Sequence, residues 1–467
     1  MLHLGFSGRF VATIMSCVKS VSYLVLLNGV PGSNIKPSRG LRQGDPLSPY
    51  LFLVCAMGLQ GLLHKAESEG LIRGVSICRN GPRVSHLFFA NDSVLFCCAK
   101  ESKCKVILDI LSIYEKGSRQ KINKDKTNIF FSSNTSHDLQ ARIQHLLGVP
   151  SIRQYEKYLG LSAFVGRAKK QNFVYIKERI WKRLQGWKEK LLSQAGREVL
   201  IKSVIQAIPT YSISCFKLPK GLIKEIETMI CKFWWAYSGD CRKVHWVKWE
   251  RLCQAKEAGG MGFKEIEKFN EALLAKQVWW MLKNPELLCH RVFKARFFPD
   301  CSILEATSST NGSYAWKSIL SAWDVVRKGM GWRIGDGKLV SIKEDKWLPE
   351  KVYRIVSSPL PSIPPPSIPP DAKVSTLIDT KTRAWKEEEV KHMFLPHEAK
   401  NILSIPLSTR LPQDSIIWSK NPSSVFSTQS AYQLLASDAS ANSPGSSNPH
   451  PNVCFGEVFR RYELPIR

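Results

Sequence analysis

Acidic residues are scarce in this 467-residue chain: 39 Asp and Glu stand against 67 Lys and Arg, a formal net charge of +28. An excess of that size points to a polyanionic partner. Nucleic acid comes first and an anionic membrane surface second, with a merely solvated basic surface as the third reading. Long apolar runs are missing too. No uninterrupted stretch of about 18 apolar residues occurs, so no membrane span is expected. The opening residues MLHLGFSGRFVATIMS lack the charged, apolar and cleavage regions of a secretory signal, and an intracellular location, nuclear or cytoplasmic, is expected. The 13 cysteines form no regular framework, which suits a reducing compartment. Zinc spacing is also absent. Cys231, Cys241, His245 and Cys253 come nearest, at C-x9-C-x3-H-x7-C, and fit no compact knuckle. Adjacent Cys97 and Cys98 sit in an apolar run and read as packing residues. No solenoid-type repeat is found.

What is present is an ordinary globular composition, 44% hydrophobic and 23% charged, in a chain long enough for two or three domains. Residues 1–135 alternate helix-like and strand-like segments, and this mixed order predicts an α/β or α+β layer. A strand is expected over 21–27, ended by Asn28-Gly29. A helix is expected over 46–63, with Asp45 as N-cap and Pro46 in its first position. Two apolar runs, 84–90 and 94–98, flank the polar pair Asn91-Asp92 and predict a hairpin. A helix over 101–116 and a strand over 128–132 follow.

Residues 170–290 read as mostly helical. Between Lys157 and Lys202 there are 12 Lys and Arg and 3 Glu, a local net of +9, with Trp181 and Trp187 inside the block. Basic residues interleaved with aromatics suit a groove that follows a phosphate backbone. Tryptophan at helical spacing is ordinarily core, so both are expected to be packing anchors. Residues 359–370, PLPSIPPPSIPP, read as an extended linker. The Ser-, Asn- and Pro-rich stretch 437–451 reads as disordered.

Chemistry is concentrated in Ser38-Arg39-Gly40-Leu41-Arg42-Gln43-Gly44-Asp45-Pro46-Leu47-Ser48-Pro49. Glycines that permit close backbone approach, the planar donors of Arg42 and a helix N-terminus together make an anion or nucleotide platform. Phe88-Phe89-Ala90-Asn91-Asp92-Ser93 places an acid at a strand–turn–strand tip, one way to hold a divalent metal, although Asn-Asp is also an ordinary turn.

Taken in order, these motifs resemble the reverse transcriptase of plant LINE-type (non-LTR) retrotransposons. Tyr114 with Gln120-Lys121-Ile122-Asn123-Lys124-Asp125-Lys126-Thr127 resembles the family's next motif, and Tyr158-Leu159-Gly160-Leu161 its primer-contacting turn. Gly186-Trp187-Lys188 with Leu192-Ser193-Gln194-Ala195-Gly196-Arg197-Glu198 resembles its thumb. Gly259-Gly260-Met261-Gly262-Phe263 and Trp332-Arg333-Ile334-Gly335-Asp336-Gly337 continue into its C-terminal connection.

The resemblance implies an α+β fold. Partial fingers and palm are expected over 1–135, palm end and helical thumb over 136–290, and a connection over 291–352. A Pro-rich linker over 353–372 and a remnant leading to a truncated zinc-binding region over 373–467 would follow. It also implies copying of RNA into DNA by two-metal nucleotidyl transfer, with Mg²⁺ or Mn²⁺ as cofactor and an RNA template with a DNA primer, or their hybrid, as partner. Asp92 would be the metal ligand. Asn91 stands where the family has a second carboxylate, and Lys126 would lie near the departing pyrophosphate. Gly40, Arg42, Gln43 and Gly44 would meet nucleotide or template, and Tyr158, Leu159 and Gly160 the primer.

A further aspartate is expected upstream of Leu4-Gly5-Phe6, before Met1, and beyond residue 451 only Cys454 could serve a zinc site, so both ends are expected to be cut. The reading is a catalytically impaired reverse transcriptase with residual nucleic-acid binding. The alternatives are a non-enzymatic RNA- or DNA-binding protein, or an active polymerase with a mis-assigned start.

Overall fold

The structure, a computed structural model, describes residues 1–37, 44–118, 120–152, 157–162, 165–166, 169–188, 192–235, 246–306, 312–349, 355–356 and 372–441. It forms two compact units, Met1–Ala163 and Phe164–Arg467, and the secondary structure is mixed α+β.

The first unit opens with helix α1 (Gly8–Lys19), capped by the Ser7 hydroxyl, which accepts the Phe10 N–H at 3.3 Å. Strands β1 (Leu26–Leu27) and β2 (Val30–Pro31) make a hairpin. Its two loop residues, Asn28 (φ 50°) and Gly29 (φ 84°), are both left-handed, the backbone a tight hairpin loop requires. The strand expected over 21–27 is shorter than its apolar run, because only Tyr23, bridged to Ile35, and Leu26–Leu27 are paired.

Helix α2 (Ser48–Ser68) starts two residues later and ends five residues later than the sequence predicts. Asp45 does not cap it. The Asp45 carboxylate instead accepts the Leu47 N–H at 2.8 Å in a turn before the helix, and Pro49 occupies the first turn.

β3 (Val75–Ser76) pairs with β4 (Arg83–Val84), and β5 (His86–Phe89) with β6 (Asp92–Leu95). Helix α3 (Glu101–Ser118) follows as expected, then β7 (Ile129–Phe130), α4 (His137–Leu147) and β8 (Ser151–Ile152). The unit ends with the hairpin of β9 (Lys157–Tyr158) and β10 (Leu161–Ser162). Pairing of β7 with β8, parallel and across α4, ties residues 136–152 to what precedes them. That is why the unit runs to Ala163 and not to the break expected at 135. Among the described residues the strands pair only in twos, so β7–α4–β8 is a single βαβ unit and no larger layered sheet is built.

Leu59, Leu63 and Ala66 of α2, Ile110 of α3 and the intervening Ile72 are the buried center of this unit. Phe88 and Leu95 of the β5–β6 hairpin pack on it, with Tyr114 of α3. Each of these leucines and isoleucines contributes about 1.5–3 kcal/mol on burial. Cys97 is half-buried, whereas Cys98 is exposed and so does not pack as expected.

The second unit is mostly helical, as predicted for 170–290. α5 (Lys169–Lys188), α6 (Gln194–Leu200), α7 (Thr210–Cys215), α8 (Lys220–Trp234), α9 (Trp249–Leu252), α10 (Ile266–Lys283) and α11 (Leu288–Phe297) cover most of it. Then come α12 (Tyr314–Leu320), α13 (Trp323–Gly329), β11 (Met330–Arg333), β12 (Ile378–Asp379), β13 (Ala384–Trp385), α14 (Glu387–Met393), α15 (Pro396–Leu403), β14 (Ser415–Trp418) and α16 (Thr428–Ala441).

One core joins α5, α8 and the start of α10 through Phe173, Ile176, Ile180, Leu184, Ile226 and Ile266. Asn270, 1% exposed, locks α10 to the α7–α8 turn. It accepts the Leu218 N–H at 2.8 Å and donates to the Ile213 and Phe216 carbonyls at 2.7 and 2.9 Å. The stretches 330–349 and 372–418 share a second core and pair β11 with β14, so they form one body where separate connection and remnant domains were expected. The Pro-rich 359–370 lies outside the described residues. Helix α16 reaches Ala441, so 437–441, expected to be disordered, is helical, and residues 442–467 lie outside the described residues. No described helix is long and apolar enough to cross a membrane.

Candidate functional site

The β5–β6 hairpin carries the two residues on which polymerase chemistry would turn. Its register pairs Phe89 with Asp92, so the two loop residues are Ala90 and Asn91, one position earlier than the sequence pattern suggested. Asp92 is therefore the first residue of β6 and Asn91 stands at the tip; both are exposed. Ala90 has φ 48°, a conformation that costs a residue with a Cβ about 1–3 kcal/mol and persists only where the surroundings impose it.

The base of the hairpin is held from below. The buried Ser85 hydroxyl donates to Glu67 Oε2 of α2 at 3.1 Å, and His86 Nδ1 stands 3.0 Å from the same hydroxyl. His64 of α2 meets the His86 ring edge-on, 5.3 Å between centers. Burial lowers the His86 pKa, the neighboring His64 lowers it further, and Glu67 opposes both. The Ser85–Glu67 bond spans 18 positions, and no local spacing in the sequence marks it.

Lys126 ends a single 3₁₀ turn, Lys124–Lys126, whose first residue follows Asn123. The Asn123 carboxamide oxygen accepts the Lys126 N–H at 3.1 Å. The Lys126 side chain is exposed, and no hydrogen bond or ion pair among the described residues joins it to Asp92. The approach to this turn folds back on α3. The Tyr114 hydroxyl donates to Gln120 Oε1 at 2.5 Å, and Glu115 accepts the Ile122 N–H at 2.8 Å.

Gly40, Arg42 and Gln43 lie outside the described residues. Gly44, at φ 85°, occupies the left-handed region ahead of α2. Tyr158 and Leu161 pair across a two-residue loop, Leu159 (φ 51°) and Gly160 (φ 77°). A leucine held in the left-handed region is a second strained residue at a motif turn.

Taken together, α2, the Asn91–Asp92 hairpin and α3 share one core, which brings three of the sequence motifs into one compact unit. They do not make a metal cradle. Asp92 offers one exposed carboxylate beside the neutral amide of Asn91, and no three His, Cys, Asp or Glu side chains among the described residues group as metal ligands. The described residues thus do not fit a two-metal center.

Residues 6–163, nearly the whole first unit, match the family described as reverse transcriptase (RNA-dependent DNA polymerase). An uncharacterized mitochondrial protein of Arabidopsis thaliana is 37% identical over 158 residues, 34% of this chain and 99% of that protein. A second Arabidopsis thaliana protein, named as a ribonuclease H protein, is 28% identical over 64% of this chain and 47% of its own length. The 149 kDa protein of transposon TX1 from Xenopus laevis is 24% identical over 55% of this chain and 19% of its own length. The chain belongs to the reverse transcriptase family. The likeness to the transposon TX1 protein is consistent with the LINE-type, non-LTR branch that the motifs resemble. This family as a whole uses divalent metals and binds RNA templates and nucleic-acid primers.

Proposed function

We propose that this chain is a degenerate RNA-directed DNA polymerase that still grips nucleic acid and transfers nucleotides poorly or not at all. The observation that carries the reading is the hairpin tip, where Asn91 puts a neutral oxygen beside the lone carboxylate of Asp92. Removing a single charge-stabilizing group from a catalytic center commonly costs about 10² or more in rate. Arg42 and Gln43, with Gly40 and Gly44, would bind the incoming nucleotide or template, and Lys126 would face the departing pyrophosphate. The strained Leu159 turn, with Tyr158 and Gly160, would meet the primer, since strain of this kind is retained where a site needs a fixed shape. Palm and fingers would correspond to the first unit, and the thumb to the α5–α10 part of the second.

Grip is tested by fluorescence anisotropy with a labeled RNA–DNA duplex. Affinity should fall steeply with salt, by roughly 10³-fold between about 50 and 200 mM, if several phosphates are contacted. Absent or salt-insensitive binding would remove the reading.

A further inference from the structure

Helix α5 buries one stripe and exposes another. Phe173, Ile176, Ile180 and Leu184 are buried at helical spacing, and Trp187 is half-buried against Phe233 on the same stripe. Trp181 lies about 100° off that stripe, one position past Ile180. It is 54% exposed, contrary to the expectation that both tryptophans pack. Its indole therefore presents a free face to solvent beside the charged side of the helix.

Around the outward side of the same helix stand Lys182, Arg179 and Arg183, all exposed, at the i, i+3 and i+4 spacing that places cations side by side. None of the three forms an ion pair with a described residue, whereas Lys170 and Lys177 on the Trp181 flank are both held by Glu225 of α8. Gly186 follows on that outward side. A Cβ there would meet open space, so no packing requires a glycine in the helix interior, where it costs about 0.5–1 kcal/mol relative to alanine. It opens the basic edge to close approach. Glu178 is the one acid on the helix and lies between the two edges.

Resting on the reading above, we infer that the outer face of α5 holds a single nucleic-acid strand, with phosphates along Arg179, Lys182 and Arg183 and an unstacked base on the Trp181 indole. The charge selects a polyanion. The exposed ring selects a strand whose bases are free to leave their stack, because in a duplex no π-face is available to it.

The test uses the full chain, anisotropy with a pyrimidine single strand of about 16 nucleotides, and a blunt RNA–DNA duplex of the same length. Trp181→Ala should weaken single-strand binding by about 5- to 100-fold while leaving its salt slope unchanged. Duplex binding should change less than about 2-fold, because no base stacks on Trp181 there. Trp181→Phe should retain most of the affinity, since a phenyl ring still stacks. The combined Arg179→Gln, Lys182→Gln, Arg183→Gln variant should flatten the single-strand salt slope by about 2. Glu178→Gln should tighten binding. Unchanged thermal midpoints would establish that each variant is folded. Wild-type binding with no loss in Trp181→Ala would overturn this inference alone, as would equal losses on strand and duplex. So would a dimer in sedimentation that Trp181→Ala dissolves, which would make the indole a protein contact. Failure of the wild type to bind either nucleic acid would overturn the proposed function as well.

Discussion

The Asp414 carboxylate receives the Gly335 N–H at 2.7 Å across 79 positions of sequence, and the same oxygen takes the Gly337 N–H at 3.0 Å. Its other oxygen accepts the Leu339 N–H at 2.9 Å, so one side chain, 6% exposed, closes the whole Trp332–Gly337 motif. A Cβ on Gly335 would stand 1.9 Å from the Pro412 carbonyl oxygen. Asp414→Ala strands three N–H groups and should cost about 3 kcal/mol or more, at 1–3 kcal/mol for each unsatisfied buried donor. Gly335→Ala should cost about 2 kcal/mol or more through overpacking. Both are read from urea midpoints of the full chain, and an unchanged midpoint would contradict the arrangement.

Leu159 offers a separate check on strain. At φ 51° a leucine is held where glycine sits freely, so Leu159→Gly should stabilize the first unit or leave it unchanged, by up to about 1 kcal/mol. If the turn meets primer, the same change should weaken binding of an RNA–DNA hybrid despite the intact fold. Loss of both stability and binding would make the leucine a packing residue only.

The Glu227 carboxyl of α8 accepts the Ile266 N–H at 3.1 Å where α10 begins. Burial pushes its pKa above the usual carboxylate range. Glu265 and Glu250 add to this, while the Ile266 N–H and Trp249 act the other way. With the folded value raised above about 4.5, the folded state holds the proton longer than the unfolded chain does. The contribution of Glu227 to stability is therefore greatest below that pH and declines as pH rises through the folded value. Glu227→Gln keeps the acceptor and removes the charge, so it should be more stable than wild type at neutral pH and lose this decline. Urea midpoints between acidic and neutral pH measure it; parallel curves for the two proteins would contradict the assignment.

At the hairpin tip, Asn91→Asp should restore a second carboxylate beside Asp92. Mn²⁺ binding, followed by the loss of the free-ion electron paramagnetic resonance signal, should tighten by about tenfold or more as a neutral oxygen becomes a charged ligand. No change would mean that positions 91 and 92 do not converge on a cation.

Much of the local structure was legible. Asn28-Gly29 supplies two left-handed residues, and the hairpin forms where that chemistry predicts it. The apolar runs around Asn91-Asp92 gave the second hairpin but not its register, which Phe89–Asp92 pairing moves by one residue. Asp45 ahead of Pro46 reads as a helix cap, and its side chain does accept an N–H. It does so two residues ahead of the cap position, and such turns and caps share the same residue types. Trp181 could have been separated from Trp187 by drawing the stripe through Phe173, Ile176, Ile180 and Leu184. Asp414 and Ser85 act across 79 and 18 positions, and nothing in local spacing marks contacts of that kind.

The most direct measurement is primer extension on an RNA template by the purified chain with Mg²⁺ or Mn²⁺, using a labeled DNA primer whose binding is followed in the same reaction. The expected result is a primer–template that is bound in a salt-dependent way and stays at its starting length. Clear DNA synthesis by the wild-type chain would contradict the central claim, since the Asn91–Asp92 hairpin would then support a chemistry that its single carboxylate should not sustain.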